Sequence, residues 1–378
     1  MSEAGMRREA APSGAPWAGQ ATAMLPAITM AYPAPPAPGT AIEVAEGILW
    51  ARLPLPMKLD HVNVFALDDG AHWTLVDTGL NWARGREALE ALLAGPLAGK
   101  PIGRVLLTHH HPDHIGMVGL LVARGAGVLA SRIAWLTGRM LTLDPQDRPN
   151  AEQVAFRRRA GVTGAALDAY AAERPFNFAD CVAPIPLGFQ ALEEGDTLDA
   201  GGRRWTVRLG EGHAPAHATL WSDDGSVVLA GDQILSSISP NIGVYPTEPD
   251  ADPLGGWLES CRRFEGVLGD SATDPLILPG HHLPFRGAQR RLRQLIENHE
   301  HALDRVLAAL AETPRPAAGL FEPLFRRPIA GSEFGLALVE AVAHVNHLQR
   351  RGAVTPEDRK DGTRAWHVAR GTAGRGSR

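Results

Sequence analysis

The stretch Thr108-His109-His110-His111-Pro112-Asp113-His114 decides how this sequence is interpreted. It follows an apolar run of the kind that forms a buried strand. Because side chains alternate along an extended chain, His109 and His111 project to the same side. A helix that begins after them brings Asp113 and His114 to a neighbouring position. Imidazole and carboxylate ligands without thiolate suit zinc, and iron and manganese accept the same ligands. The spacing therefore predicts a loop that serves two metal ions.

Four other β-like runs along the chain also end in polar residues. These runs are followed in turn by Asp77-Thr78-Gly79, by Gly212-His213, by Gly231-Asp232 and by Pro279-Gly280-His281-His282. Five strands that present polar residues at their carboxyl ends are typical of one edge of an α/β sandwich, where loops carry function. We therefore expect the five segments to meet at one site.

The order of these motifs resembles the signature of the metallo-β-lactamase superfamily. The matching motifs are Val-Asp-Thr-Gly around Asp77, His-x-His-x-Asp-His from His109, and then His213, Asp232 and His281. The resemblance spans residues 41–285. It implies an α/β protein with a four-layer αβ/βα sandwich, and a metal-dependent hydrolase as its function.

Carried over residue by residue, the resemblance implies a cofactor of two Zn²⁺ ions, with iron or manganese as the alternative metals. One ion would be held by His109, His111 and His213, and the second by Asp113, His114 and His281, with Asp232 bridging both. A hydroxide held between two such cations is a strong nucleophile, because zinc lowers the pKa of a bound water to roughly 7. Asp113 and Asp232 are therefore the candidate catalytic carboxylates.

Asp77 has two interpretations. By itself it is equally well a turn residue that caps a strand and a carboxylate that orients a ligand loop. The order of the motifs favours the second role.

The other histidines are interpreted structurally. His110 should point away from the metals by alternation, and His217 should be a packed, hydrogen-bonded residue. His282 either approaches the substrate or competes with His281 as a ligand. Five more are expected on helix surfaces or in the C-terminal appendage: His299, His301, His344, His347 and His367.

The expected substrate is a small ester or thioester whose carbonyl is attacked by the metal-bound hydroxide. A zinc β-lactamase is disfavoured because the bridging position is Asp232 and not cysteine, and a flavodiiron reductase because residue 111 is histidine. The chain is similar to glyoxalase-II-like thioesterases, although their tyrosine and basic pattern is not found. The segment 237–242 and the residues Trp135 and Leu136 are expected to line a partly apolar pocket.

Three alternatives stay open. An RNA- or DNA-processing phosphodiesterase would use the basic C-terminal part, which resembles the appendage of relatives of a small endoribonuclease. Its arginines, for example Arg290, Arg293 and Arg351, alternate with acidic residues as on a solvated helix, so nucleic acid is not favoured. A mononuclear iron persulfide dioxygenase has a similar motif set. A non-catalytic ligand-binding module is the third alternative, and the retention of all seven ligand types argues against it.

The domain organisation follows from composition and periodicity. We expect a disordered Ala/Pro-rich N-terminus at 1–40, a metallo-β-lactamase domain at 41–285 with a helical insertion at 131–190, a winged-helix-like domain at 286–370, and a tail at 371–378.

Composition limits the remaining choices. The chain has 378 residues and a net charge of −5, with 16 basic and 10 acidic residues from position 286 onward (+6) and therefore −11 before it. The two cysteines, Cys181 and Cys261, exclude a disulfide framework. No apolar run is long enough to cross a bilayer, which predicts a cytoplasmic protein without a membrane partner. The sequence leaves the oligomeric state open.

Overall fold

A computed structural model describes residues 25–271 and 273–369. The predictions of disorder for residues 1–24 and of a tail at 371–378 lie outside the described residues. The fold is a mixed α/β sandwich of two sheets covered by helices, which confirms the predicted αβ/βα class.

The described residues form sixteen strands. They are β1 (Thr29–Met30), β2 (Ile42–Ala45), β3 (Ile48–Pro54), β4 (His61–Asp68), β5 (Trp73–Val76), β6 (Ile102–Leu106), β7 (Gly127–Ser131), β8 (Gln190–Leu192), β9 (Thr197–Ala200), β10 (Arg203–Gly210), β11 (His217–Ser222), β12 (Val227–Gly231), β13 (Leu276–Pro279), β14 (Phe285–Arg286), β15 (Val354–Asp358) and β16 (Arg364–Val368).

The same part of the chain forms ten α-helices. They are α1 (Ala83–Ala94), α2 (Pro112–Ile115), α3 (Val118–Val122), α4 (Arg132–Leu143), α5 (Ala151–Arg159), α6 (Gly164–Ala172), α7 (Pro253–Gly269), α8 (Ala288–Glu312), α9 (Phe321–Phe325) and α10 (Phe334–Arg350).

Two seven-stranded sheets face each other. The first has the order β2-β3-β4-β5-β6-β7-β8 and the second the order β1-β14-β13-β12-β11-β10-β9. β5 and β6 are parallel neighbours in the first sheet, and β12 and β13 are parallel neighbours in the second. The carboxyl ends of each parallel pair therefore lie together at one edge of its sheet.

Side-chain alternation divides the interior into three apolar cores. On β4, Val62 and Val64 pack with the helices that cover the first sheet, whereas Phe65 and Leu67 pack between the two sheets. The third core lies between the second sheet and α7, α8 and α10. The central strands β5, β11, β12 and β13 therefore bury both faces, which explains their nearly continuous apolar runs in the sequence.

The segment between β7 and β8 contains α4, α5 and α6. The helix α5 begins with a capping box, in which Asn150 accepts from the Gln153 amide and Gln153 returns a bond to the Asn150 amide, both at 2.8 Å. Trp135 of α4 does not line a pocket, because it is 3% exposed and stacks on Phe189. Leu136 is 54% exposed.

The C-terminal part places two long helices, α8 and α10, before the β15–β16 hairpin. Its apolar side chains belong to the same core as those of α7 and the second sheet. His299 and His344 lie in the C-terminal part, one of the two places predicted for them, but packing between helices buries both, so neither is on a helix surface.

The described part of the N-terminal segment is not a free chain. Thr29 and Met30 form β1, which pairs antiparallel with β14, where the sequence analysis expects disorder up to residue 40. The periodicity of apolar side chains does not predict β1, because a two-residue edge strand is held by backbone hydrogen bonds and not by its side chains. Among the described residues, no helix is both long and apolar enough to cross a membrane.

Candidate metal centre

The seven candidate ligands come from loops at the carboxyl ends of strands. The loop and short helix after β6 provide His109, His111, Asp113 and His114, and the others follow β10 (His213), β12 (Asp232) and β13 (His281). The structure brings all seven together, as the motif order predicts.

Three imidazoles converge in the first half of the site. His111 Nδ1 lies 2.9 Å from His109 Nε2 and 3.0 Å from His213 Nε2. Two nitrogen ligands of a tetrahedral zinc ion lie roughly 3.3 Å apart, given zinc–nitrogen bonds of about 2.0–2.1 Å. The three rings are therefore spaced closely enough to share one ion.

Two carboxylates and two imidazoles form the second half. Asp113 Oδ2 lies 3.4 Å from His281 Nε2 and 3.6 Å from His114 Nε2. Asp232 Oδ2 lies 3.2 Å from His281 Nε2 and 3.5 Å from His114 Nε2. The same Asp232 oxygen is 3.4 Å from His213 Nε2 of the first half. Asp232 is thus placed between the two halves.

The outward nitrogen of four rings is held by a neighbouring group. The pairs are His109 Nδ1 with Thr108 Oγ1 (3.0 Å), His114 Nδ1 with Asp77 Oδ2 (2.8 Å), His213 Nδ1 with the Asn241 carbonyl (2.9 Å) and His281 Nδ1 with the His61 carbonyl (2.8 Å). Because these partners accept hydrogen bonds, the network assigns the ring proton to Nδ1. Each Nε2 then directs a lone pair into the site.

This arrangement fits a metal ion. Lone pairs on His114 and His281 face carboxylate oxygens, and such contacts repel unless a cation or a proton lies between them. His114 Nε2 and Asp232 Oδ1 are buried and have no hydrogen-bond partner among the described residues. Gly280 leaves the necessary space, because a Cβ there would lie 2.2 Å from Asp232 Oδ1. The donor set and its unmatched atoms are those of a divalent metal site.

The pKa shifts agree with this interpretation. Burial, reinforced by the neighbouring histidines, lowers the pKa of His109 and His111 well below the usual value, so both rings are neutral. Burial by itself would lower the pKa of His114, but the negative charges of Asp232, Asp113 and Asp77 outweigh burial and raise this pKa. Burial would raise the pKa of Asp232, yet His281 and His114 hold it well below its usual range. Without an ion, a proton on His114 compensates the carboxylates.

Asp77 contacts the ligand loop on the side away from the metal ligand atoms. It is 2% exposed and adopts a left-handed backbone with φ of 62°. Its carboxylate accepts hydrogen bonds from the Thr108 amide (2.9 Å) and hydroxyl (2.9 Å) and from His114 Nδ1 (2.8 Å). These contacts favour the second interpretation of Asp77, in which it orients the ligand loop.

Residues on β3 and β4 that carry no motif hold the His281 loop. The His61 carbonyl accepts from His281, and His61 Nε2 accepts from the His282 amide at 2.9 Å. Asn63 Nδ2 donates to the carbonyls of Pro279 and His282, both at 2.8 Å, and Arg52 donates to the latter at 2.7 Å. No sequence motif marks these residues, and the only signal for them is the polar Asn63 within an apolar strand.

The remaining histidines of the motifs lie around the site. His110 turns toward Phe178, and their rings stack with centroids 6.5 Å apart. His217 stacks on His109 at 4.6 Å and accepts a hydrogen bond from the Asp232 amide at 3.1 Å. His282 has a left-handed backbone with φ of 66°, and its buried Nε2 has no partner among the described residues.

The fold and the site together define a metal-binding αβ/βα sandwich protein. The family model of the metallo-beta-lactamase superfamily matches residues 57–312, and that of the metallo-beta-lactamase-like C-terminal domain matches residues 303–369. The chain therefore belongs to the metallo-beta-lactamase superfamily, as its motifs predict.

Named relatives span most of the chain. The probable metallo-hydrolase YqjP of Bacillus subtilis is 27% identical over 317 residues, which cover 82% of this chain and 94% of that protein. The hydroxyacylglutathione hydrolase of Pseudomonas putida is 31% identical over 227 residues, which cover 57% of this chain and 78% of that protein. A solved beta-lactamase domain protein from Burkholderia ambifaria is 34% identical with a TM-score of 0.81, covering 90% of this chain and 97% of that one.

Proposed function

We propose that this protein hydrolyses a small ester or thioester at a binuclear metal site, with zinc as the metal. The observation that carries the proposal is the set of inward lone pairs on His109, His114, His213 and His281, whose orientation is held from outside and which converge on Asp113 and Asp232.

We assign His109, His111 and His213 to one ion and Asp113, His114 and His281 to the other, with Asp232 shared. Two divalent cations held here would polarise the scissile carbonyl and activate water near neutral pH. The chain itself fixes the geometry, because four of the rings are locked by outer hydrogen bonds.

The two carboxylates have different surroundings. The Asp232 side chain is 7% exposed and lies among three imidazoles, whereas that of Asp113 is 18% exposed. We therefore assign to Asp113 the transfer of a proton between entering water and the leaving group, and to Asp232 the shared ligand position. His282 Nε2 is buried and has no partner among the described residues, so we assign it no contact with the substrate.

The thioester class has two supports. The Pseudomonas putida relative is named for the hydrolysis of an acyl conjugate of glutathione, which is a thiol. In addition, α4 packs against the ligand loop, since a Cβ on Gly138 would touch Ile115, while its outer face exposes a stripe of apolar side chains. The α4 stripe consists of Ile133, Leu136, Met140 and Leu143. Such exposed apolar surface is suited to the acyl part of a substrate.

The test is Asp232→Asn, measured as kcat/KM on acyl-glutathione, acyl-coenzyme A and aryl ester substrates. We expect a loss of roughly a thousandfold, because a metal contributes several kcal/mol to the transition state. Asp223→Asn is the matched control, because Asp223 is an exposed carboxylate bound to Thr206. Equal activity of Asp232→Asn and the control would contradict the proposal, including its choice of an enzyme over a silent binding module.

Phosphodiester cleavage is the second candidate function, and the contacts of the arginines disfavour it. Arg291 donates to the carbonyls of Leu235 (2.7 Å) and Ile238 (2.8 Å), and Arg351 pairs with Glu300 (3.0 Å). These guanidinium groups are engaged within the protein. Turnover of RNA that weakens steeply with salt would reverse the ranking.

Metal content distinguishes the mononuclear iron dioxygenase from the proposed binuclear zinc hydrolase. The proposal expects about two zinc ions per chain, falling to about one in His281→Ala. A single iron that is unaffected by His281→Ala would instead support persulfide oxidation.

A further inference from the structure

A second cluster of metal-ligating side chains lies outside the candidate metal centre. His299 is on α8, and Glu340 and His344 are on α10 one turn apart, so the last two share a helix face. His299 is 5% exposed, His344 is 1% exposed and Glu340 is partly buried. One ligand atom from each residue lies within 4.8 Å of the others.

The distance between the two imidazoles is long for a direct hydrogen bond. His299 Nδ1 lies 3.4 Å from His344 Nε2. Protein hydrogen bonds from N–H groups have heavy-atom distances of about 2.7–3.2 Å. Two nitrogen ligands of one tetrahedral zinc ion are roughly 3.3 Å apart. The observed separation matches a shared ion better than a shared proton.

Hydrogen bonds to the outer nitrogens leave lone pairs on the inner ones. His344 Nδ1 donates to the Glu340 carbonyl at 2.8 Å, so its Nε2 carries a lone pair. His299 Nε2 lies 3.3 Å from Ser239 Oγ, so a ring proton on Nε2 has an acceptor there. His299 Nδ1 then also presents a lone pair. In this tautomer two buried lone pairs face each other, an arrangement that a cation between them stabilises.

The third residue provides the negative charge. Glu340 Oε2 accepts a hydrogen bond from Asn241 Nδ2 at 2.8 Å, which anchors the carboxylate, and the group has a second oxygen to offer a cation. We propose that His299, Glu340 and His344 form a separate site for one divalent transition metal ion, preferably zinc. Two nitrogens and one oxygen leave a position for water in a four-coordinate shell. This inference does not depend on the proposed hydrolysis.

The site is one loop away from the candidate metal centre. The Asn241 carbonyl accepts from His213, while the Asn241 amide donates to Glu340 and to the Leu336 carbonyl at 3.1 Å. An ion bound by α8 and α10 therefore fixes the loop that orients His213. Its role is structural, since it ties the C-terminal helices to the sandwich.

The experiment uses full-length protein in which His111→Ala and His281→Ala weaken both halves of the candidate metal centre, called the main centre below. After loading with Zn²⁺ and dialysis, elemental analysis should find about one zinc per chain at the second site. Adding Glu340→Gln or His344→Ala should remove that ion. Glu340→Gln keeps an acceptor for Asn241, so it tests the ligand without disturbing the loop.

His347→Ala is the matched control. His347 is a buried histidine on the same helix, but it pairs with Asp252 at 3.0 Å and does not belong to the cluster. It should leave the zinc content unchanged. Zn²⁺ should also raise the Tm of the metal-stripped background protein and not that of its Glu340→Gln version. Zinc content and Tm that are the same with and without Glu340→Gln would overturn the second site, whatever the main centre does.

Discussion

The two histidine clusters of this molecule are constructed in different ways. The candidate metal centre takes its ligands from loops at strand ends, and each of four rings has its own outer partner. The cluster of His299, Glu340 and His344 takes its ligands from two helices that pack together.

The difference concerns what holds each ligand. The strands that precede these loops are fixed by backbone pairing within two mixed sheets, so five imidazoles and two carboxylates can converge from distant parts of the chain. Helices offer side chains one turn apart, and the site depends on how α8 and α10 pack. We therefore expect the first cluster to carry chemistry and the second to carry structure.

The largest expected effect separates the clusters by activity. His111→Ala should lower kcat/KM for a thioester by roughly a thousandfold, because a ligand of one ion is lost. His344→Ala should lower it by less than about tenfold, since it acts only through the Asn241 loop. Both are measured at saturating Zn²⁺. Similar losses in the two variants would mean that the clusters form one catalytic unit.

The main centre is predictable from sequence because its ligands occur in short polar runs directly after apolar strands. Its supports on β3 and β4 are not, since Arg52, His61 and Asn63 act only where those strands pass the loop after β13. The pairing of His299 with His344 depends on helix packing and leaves no local pattern. Helical periodicity alone likewise did not indicate that α4 buries Trp135 against Phe189.

Asp77→Asn tests whether the hydrogen bonds of Asp77 to His114 and Thr108 contribute to metal binding in the main centre. Asparagine tolerates the left-handed backbone of this position, so only the charge and acceptor capacity toward His114 and Thr108 change. We expect zinc affinity, measured by competition with a chelator, to fall about 10- to 100-fold. Asp68→Asn is the control, because Asp68 pairs with Lys100 and does not contact the site. Unchanged affinity in Asp77→Asn would show that Asp77 only caps its strand.

Titration of Glu340 should make the free energy of unfolding of the chelator-treated protein depend on pH. Burial raises the pKa of Glu340 to about 7, although the hydrogen bond from Asn241 opposes the shift. A carboxyl with a raised folded pKa binds its proton more tightly in the native state, so the free energy of unfolding falls as pH rises from the unfolded pKa to about 7. Because the group is only partly buried, we expect a loss of about 1–2 kcal/mol.

Urea unfolding of the metal-free protein at pH 5 and pH 8 measures this loss, and Glu340→Gln should reduce it. Saturating Zn²⁺ should also reduce it, because the ion replaces the proton as the partner of the carboxylate. Equal pH dependence in wild type and Glu340→Gln would place the titration elsewhere.

The smallest expected effect concerns the α4 stripe, which lies on the exposed face of a helix whose buried face contacts Ile115 at Gly138. Leu136→Ser should raise KM for a medium-chain acyl thioester roughly four- to fifteenfold, as expected when about one or two methylene groups lose apolar contact. The effect on kcat should be small, since binding to a remote part of the substrate is lost equally in ground and transition states.

Leu187→Ser is the control, because Leu187 is 81% exposed and lies outside the helix. A KM that does not depend on acyl chain length in the wild type, or that rises equally in both variants, would remove the stripe from the substrate site. A rise confined to Leu136→Ser and to longer acyl chains would show that the main centre includes the apolar surface of α4.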